Sequence, residues 1–174
     1  GKAKAIQTIE KSLEKIKVQG FAPVDSWNPK FCGDLDIKIK KDGSWFHEGS
    51  KINRINLVKL FSTILKKEGD DYFLVTPVEK IGIKVDFAPF VATSITFCGV
   101  GRSQKISFVT NIGEMFDLNY QHPVRMVYNS KTNEPHPYVI VRNNLEALID
   151  RKSFYRFIDL GSTENYRGQE WFGV

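Results

Sequence analysis

The strongest constraint on the fold is a strict alternation of apolar and charged side chains in the segment DLDIKIK. Apolar residues take every second position from Leu35 to Ile39. Because successive side chains of a strand point to opposite faces, this period predicts a β-strand with one buried face. The pair Asp42-Gly43 that follows is a strong signal for a tight hairpin turn. A second strand is therefore expected at residues 44–48.

Two segments carry the helical spacing of apolar residues. The first covers residues 53–68, where Asn53 is the predicted N-cap and Gly69 the predicted end of the helix. The second covers residues 151–160, and Asp150 is its predicted N-cap.

Most of the remaining chain has the pattern of strands and turns. The segment LEALI is expected to form a turn. The predicted strands are residues 72–78, 81–85, 90–97, 105–110, 114–118, 124–128, 138–142 and 170–174. This mixture of helices and strands predicts an α+β fold.

The two helical segments also resemble each other. Arg151 stands 97 residues after Arg54, and the predicted caps and apolar positions coincide at the same offset. One interpretation is a duplicated β-β-α-β unit, and the other is that any two capped amphipathic helices look alike. A duplication would create a cleft between two similar halves, and such clefts are preferred ligand sites.

Charge and composition limit the classes of function. The chain has 174 residues and a net charge of +5, of which residues 1–19 carry +3 through five lysines and two glutamates. These residues predict a basic amphipathic helix, so a diffuse nucleic-acid surface is not expected. No apolar run approaches the roughly 18 residues of a membrane helix, and no signal peptide is recognised. Two cysteines, Cys32 and Cys98, outside any C-x-x-C pair, predict reduced thiols in the cytoplasm and a buried Cys32.

Two aspartates are the best candidates for chemistry. Asp34 and Asp36 lie two positions apart on the predicted strand, so their carboxylates share a face about 7 Å apart. Such a pair can hold Mg²⁺ or act as acid and base, with Glu79 as a further base. The alternative is a solvated charged face. The histidines lack a ligand spacing, so no histidine metal site is expected.

Arginines in unfavourable positions suggest an anion site. Arg54 and Arg151 fall in the first turn of a predicted helix, the end where a cation is disfavoured. Each is explained by a bound anion, a local acid or a surface salt bridge. Arg142 could join Arg151 in one anion pocket.

Further candidates are polar or aromatic. Thr76 stands at a proline-broken strand, where bulges near functional sites occur. The aromatic residues Trp27, Trp45 and Tyr138 can stack on a base or belong to the core.

Taken together, several segments closely resemble a bacterial family, the domain of unknown function 1285. The similar segments are WNPKFCGDLDIKI, DGSWFHEG, INRINLVKLFSTIL, YFLVTPVEKIGIKVDFAPFVA, FVTNIGE, NEPHPYVIVRNNLEALIDR and SFYRFIDLG. The resemblance implies a duplicated core whose C-terminal half is superficially like a pleckstrin-homology fold, a mostly antiparallel sheet or barrel with a C-terminal helix. The expected domains are an N-terminal helix (1–22), an N-terminal α+β repeat (23–86) and a C-terminal pleckstrin-homology-like repeat (87–174).

The resemblance also implies a nucleotide-like ligand between the two halves, a role in signal transduction and no enzymatic activity. It names no cofactor and no catalytic residue. The matching positions expected to line the interface are Trp27, Asn28, Asp34, Asp36, Trp45, Arg54, Thr76, Asn111, Tyr138, Arg142 and Arg151. We therefore expect a ligand-binding module. The alternatives are a Mg²⁺-dependent hydrolase using Asp34 and Asp36, and a protein-interaction module whose N-terminal helix docks on the body or on another subunit of a homo-oligomer.

Overall fold

The computed structural model describes residues 23–99, 105–118 and 124–166, together with Gln7. The predicted strand at residues 170–174 and the rest of the predicted N-terminal helix lie outside this part of the chain. The chain divides into two compact units, residues 1–40 with 44–86 and residues 41–43 with 87–174. Each unit contains a six-stranded sheet.

The described part of the first unit begins with a short 3-10 helix, Val24–Ser26. Its elements are then β1 (Phe31–Ile39), β2 (Trp45–His47), β3 (Ser50–Lys51), α1 (Ile55–Ser62), β4 (Leu65–Glu68), β5 (Asp71–Val75) and β6 (Lys80–Val85). The strand order across the sheet is β3-β2-β1-β6-β5-β4. The central strands β1 and β6 run parallel, and all other neighbours run antiparallel.

The alternation that predicted β1 is confirmed by its burial. Leu35, Ile37 and Ile39 are buried, whereas the alternating positions Asp34 and Asp36 are exposed. The predicted hairpin is confirmed as well, because β2 pairs antiparallel with the end of β1.

The first predicted helix, residues 53–68, is wrong in its second half. The helix α1 ends at Ser62, whose hydroxyl donates a hydrogen bond to the carbonyl of Lys59. The chain then enters β4, where Leu65 is buried and pairs with Leu74 of β5. Burial in the sheet therefore overrides a local helical spacing.

Both predicted ends of this helix are also wrong. The N-cap position is taken by Arg54 rather than by Asn53. Gly69 has a φ of 61° and lies in the hairpin between β4 and β5, where Glu68 pairs with Asp71. A glycine with positive φ suits a hairpin turn as well as a helix end, so local sequence did not separate the two.

The second unit has seven described elements. They are β7 (Phe90–Cys98), β8 (Lys105–Thr110), β9 (Met115–Asp117), β10 (Val124–Tyr128), β11 (Pro135–Arg142), β12 (Leu145–Ile149) and α2 (Arg151–Tyr166). The strand order is β10-β11-β12-β7-β8-β9, in which β7 and β12 are parallel and the other neighbours antiparallel. The helix α2 packs on β7, and its Phe157 ring lies 5.8 Å from that of Phe108 in β8.

The two sheets repeat one topology. In each unit, three antiparallel strands are followed by three more, and the sixth strand pairs in parallel with the first. An aspartate ends each parallel pair: the N–H of Asp86 donates to the carbonyl of Ile39, and that of Asp150 to Ala92. The predicted α+β fold and its duplication are therefore confirmed.

The helices, however, occupy different places in the repeat. The helix α1 lies between the third and fourth strands of its unit, whereas α2 follows the sixth strand. The two helices whose sequences match at an offset of 97 residues, with Arg54 and Arg151 in equivalent positions, are therefore not topologically equivalent. The similarity of the C-terminal half to a pleckstrin-homology fold stays a prediction.

The segment LEALI was predicted as a turn and is strand β12. Its residues Leu145, Ala147, Leu148 and Ile149 are all buried. A strand with a parallel neighbour and both faces covered reads as a continuous apolar run rather than as an alternation. The turn lies just before it, at Asn143, which has a φ of 51°.

The predicted cap of α2 is confirmed. The Asp150 carboxylate accepts a hydrogen bond of 2.8 Å from the backbone N–H of Ser153. The helix runs on to Tyr166, beyond the predicted end at residue 160.

The burial predicted for Cys32 is wrong. Its side chain is exposed, and the thiol lies 3.3 Å from the carbonyl oxygen of Lys30. Cys32 lies in the first part of β1, before the buried residues of the strand begin at Leu35. Within the described residues, no helix is long and apolar enough to cross a bilayer.

Candidate functional site

The second unit contains a cavity of about 420 Å³. Its wall is formed by β7, β11, β12 and the first turn of α2, together with residues 41 and 42. Buried apolar side chains, among them Val91, Leu148 and Phe154, make the apolar part of the wall. This size falls in the range of about 300–1,000 Å³ that is usual for small-molecule sites.

Charged side chains of both signs complete the wall. The cations are Lys41 and Arg151, and the carboxylates are Asp42, Glu134 and Asp150. Lysine and arginine can only donate hydrogen bonds, and ionised carboxylates can only accept them. The cavity therefore suits a ligand that carries anionic groups and hydrogen-bond donors together.

Lys41, Phe87 and His136 form a stack beside the cavity. The Lys41 ammonium lies 4.9 Å from the centre of the Phe87 ring, a cation–π contact. The Phe87 and His136 rings are stacked at 5.5 Å with an angle of 6° between their planes. His136 lines the cavity and is only 9% exposed, so its ring gives the wall a fixed aromatic part.

The start of α2 is fixed by backbone hydrogen bonds of Asp150. Its N–H donates to the carbonyl of Ala92 in β7 at 3.0 Å, and its carbonyl accepts from Phe154 at 2.8 Å. These bonds hold the first turn of the helix against the sheet. Arg151 and Phe154 are thereby placed at the cavity wall.

Asn111 fixes the turn that carries Lys41 and Asp42. Its amide oxygen accepts a hydrogen bond of 3.0 Å from the N–H of Val91. Its amide nitrogen donates one of 3.1 Å to the carbonyl of Gly43. The turn is thus tied to β7 through one side chain.

Comparison with known proteins identifies the family. The model described as "Domain of unknown function (DUF1285), N-terminal domain" matches residues 22–88. The model described as "Protein of unknown function (DUF1285), C-terminal domain" matches residues 89–174. The chain belongs to the DUF1285 family. The resemblance found in the sequence is confirmed, and both descriptions leave the family's function unknown.

Two solved structures of DUF1285 family proteins are similar to this chain. The protein from Silicibacter pomeroyi DSS-3 is 53% identical, with a TM-score of 0.80 over 88% of this chain and 84% of that one. The protein from Shewanella baltica OS155 is 25% identical, with a TM-score of 0.56 over 72% of this chain and 91% of that one. No curated protein matches the sequence.

Of the residues predicted to bind a ligand in this DUF1285 chain, Arg151 lines the cavity. Arg142 is not among the residues of its wall. The Arg142 guanidinium instead lies 3.3 Å from the Glu114 carboxylate and 5.1 Å from the centre of the Phe90 ring. Burial lowers the pKa of Arg142, and the charge of Glu114 opposes that shift. Arg151 thus lies at this cavity and Arg142 does not, so their sharing of one anion pocket stays a prediction.

Tyr138 is buried in β11 beneath the guanidinium of Arg125, 4.8 Å from its ring centre. Burial raises the pKa of the Tyr138 phenol. Arg125 is held by two hydrogen bonds, of 2.8 and 3.2 Å, to the carboxylate of Glu146.

Two predicted site residues of the first unit are buried. Trp45 is 1% exposed, and its ring lies 6.2 Å from that of Phe61. The Thr76 hydroxyl accepts hydrogen bonds from the N–H groups of Val78 and Glu79. Both side chains stabilise the unit, Trp45 through packing and Thr76 by holding the turn at the proline.

The other predicted residues of the first unit lie nearer to solvent. Trp27 is half-buried, and its carbonyl accepts a hydrogen bond of 3.3 Å from the ammonium of Lys66. Asn28 and Arg54 are exposed.

Asp34 and Asp36 are exposed on β1, as a solvated face requires. Asp34 lines a smaller cavity of about 310 Å³ in the first unit, together with Asp71, Lys80 and Gly82. Among the described residues, no group of three or more His, Cys, Asp or Glu side chains is arranged to hold a metal ion.

Sequence reasoning missed most of the cavity wall. None of Lys41, Glu134 and His136, which line the cavity, is among the residues predicted to bind a ligand. These three residues come from two separate segments of the chain. The signal that could have pointed to them is the NEPHPY segment, where a proline-flanked histidine opens β11.

Proposed function

We propose that this DUF1285 protein binds a nucleotide-like small molecule in the cavity of its second unit, and that it acts as a binding module in cytoplasmic signal transduction. The observation that carries the proposal is one cavity wall that combines apolar side chains, exposed aromatic surface and charges of both signs. Nucleotides present the complementary set: a flat ring, sugar and base donors, and an anionic phosphate.

Each part of the wall has a role in this proposal. Arg151 and Lys41 bind the phosphate, since a guanidinium matches two phosphate oxygens and an ammonium adds a point charge. The ring of Tyr155, which is 55% exposed, offers a surface on which a base can stack. Glu134 accepts hydrogen bonds from the sugar hydroxyls or the base amino group.

Thermal unfolding with AMP, GMP, CMP and UMP, with and without Mg²⁺, tests this proposal. A mononucleotide at 100 times its Kd adds about 2.7 kcal/mol to the free energy of unfolding, which raises the midpoint by about 5–10 °C. The variant Arg151→Gln should lose most of this shift. Lys152→Gln is the matched control, because Lys152 is the next residue of α2, exposed and outside the cavity wall.

Three outcomes would contradict the cavity assignment. The proposal fails if none of the mononucleotides raises the midpoint. It also fails if Arg151→Gln and Lys152→Gln weaken binding equally, since the effect is then one of net charge. Loss of binding in Arg54→Gln but not in Arg151→Gln would favour the interface site that the family resemblance implied.

A Mg²⁺-dependent hydrolase is the second candidate, because Asp34 and Asp71 line one cavity with Lys80. It predicts release of phosphate from a nucleotide in the presence of Mg²⁺, and loss of that release in Asp34→Asn. Asp70→Asn, in the exposed turn before Asp71, should leave the release unchanged. Binding without turnover in the same samples would reject the hydrolase.

A further inference from the structure

We infer that Asn111 is a positioning residue for the cavity of the second unit: it holds the turn of residues 41–43 so that the Lys41 ammonium stands at the wall. The inference rests on the proposed function in one respect, that Lys41 contacts the phosphate of the ligand. The position of Lys41 itself is a property of the free protein.

Both ends of the Asn111 amide bind backbone groups. The oxygen accepts from Val91 N–H at 3.0 Å, and the nitrogen donates to the carbonyl of Gly43 at 3.1 Å. The backbone N–H of Asn111 donates to the carbonyl of Val91 at 2.8 Å. Two hydrogen bonds to Val91 therefore hold Asn111 on β7, and the third hydrogen bond, to the carbonyl of Gly43, holds the turn.

Gly43 is shaped for this contact. Its φ of 86° is one that side chains rarely adopt. A Cβ on Gly43 would stand 2.5 Å from the amide nitrogen of Asn111 and 2.8 Å from its Cγ. A glycine at this position therefore lets the turn adopt its conformation and lets the amide approach.

The conformation of residues 41–43 sets the position of Lys41. Only Asp42 separates Lys41 from Gly43, and the Lys41 ammonium lies over the Phe87 ring at 4.9 Å. A turn released from Asn111 would let the ammonium leave this ring. Positive charge would then be lost from the cavity wall, although Lys41 and Arg151 are both still present.

Nuclear magnetic resonance of the free protein tests the positioning directly. Protons at the end of the Lys41 side chain should be shifted upfield, since they lie over an aromatic ring. Asn111→Asp keeps the acceptor for Val91 but removes the donor to Gly43, so the upfield shift should be lost. Asn56→Asp, at an exposed position of α1, makes the same chemical change elsewhere and should retain it.

Affinity for the mononucleotides tests the functional part. Lys41→Gln should weaken their binding about tenfold in the wild-type background, as expected for a charge-assisted hydrogen bond. In the Asn111→Asp background the same change should weaken binding less than about twofold, because coupled residues are not additive. In the Asn56→Asp background the tenfold effect should return.

An unchanged Lys41 spectrum in Asn111→Asp overturns the inference, and so does full additivity of the two substitutions. If Asn111→Asp does not fold, Gly43→Ala displaces the amide from the other partner and must abolish the same upfield shift. If wild type binds none of the mononucleotides, the proposed function fails while the spectrum still decides whether Asn111 positions Lys41.

Discussion

The carboxylate of Asp34 occupies the space in which Gly82 would carry a side chain. The two residues pair across the parallel strands β1 and β6, and both line the smaller cavity of the first unit. A glycine inside a strand is ordinarily unfavourable, so its presence here is explained by the close approach of this carboxylate.

We therefore expect Gly82→Ala to lower the free energy of unfolding by less than about 1 kcal/mol, because the exposed Asp34 carboxylate must move aside for the methyl group. The penalty should largely disappear in an Asp34→Ala background, because the methyl group then has room. Urea unfolding of the four proteins in this cycle measures both effects. Equal penalties in the two backgrounds would show that Asp34 is not the obstacle.

Glu68 gives the first unit a pH dependence. A hydrogen bond from Lys80 lowers the pKa of the Glu68 carboxyl below its ordinary value of 4.5, with Lys66 contributing in the same direction. The ionised form therefore stabilises the fold above the unfolded pKa, and this stability is lost as pH falls through the folded pKa. The carboxylate is partly exposed, so the effect should stay below about 1 kcal/mol.

Glu68→Gln should accordingly be less stable than wild type at pH 7, and the difference should be smaller at pH 3, where more of the Glu68 carboxyl is protonated. Urea unfolding at both pH values measures it. Asp70→Asn, in the exposed turn nearby, is the control for a change of net charge. A difference for Glu68→Gln that persists undiminished at pH 3 would contradict the assignment to the ionised carboxylate.

Arg142 and Glu114 form an ion pair whose side chains are only 11% and 14% exposed. Removing Arg142 takes the ion-pair partner from the largely buried Glu114 carboxylate, so Arg142→Met should cost about 3 kcal/mol of unfolding free energy. The double variant Arg142→Met with Glu114→Leu should recover most of this loss. Arg125→Met breaks an ion pair whose arginine is 56% exposed and should cost less than about 1 kcal/mol.

The same variants separate two roles for Arg142. A structural role predicts that the double variant binds a ligand of the second-unit cavity as well as wild type does. A stable double variant that has lost mononucleotide binding would instead indicate that Arg142 binds the ligand, as the family resemblance implied.

The N-cap of α2 should also contribute to stability. Asp150→Ala should cost about 1 kcal/mol, because the N–H of Ser153 loses its acceptor. Asp150→Asn keeps an oxygen in place and should cost little. Thermal unfolding measures both, and equal losses would mean that the charge of Asp150, rather than its capping bond, matters.

Local patterns in the sequence predicted the elements whose burial is one-sided. The strand β1 alternates between Leu35, Ile37, Ile39 and charged residues, and the hairpin after it follows from Asp42-Gly43. The strand β8, in which every second residue is buried, also has the predicted bounds. In each case the pattern that predicts the element lies within the element's own residues.

Elements defined by distant partners were missed. Residues 65–68 continue a helical pattern and become a strand because Leu65 pairs with Leu74. The segment LEALI lacks alternation because β12 is covered on both faces. The cavity wall was not predicted for the same reason. Lys41, His136 and Arg151 line one cavity only once the sheet has formed.

The central parallel pair of each sheet also has a consequence for synthesis of the chain. In each unit the first strand pairs with the sixth at the centre of the sheet. The strand β1 therefore cannot complete its pairing before β6 is synthesised, nor β7 before β12. On the ribosome, neither sheet can close at its centre until its last strand has emerged. Translation should therefore release the two units as separate folding events, the first after residue 85 and the second after residue 149.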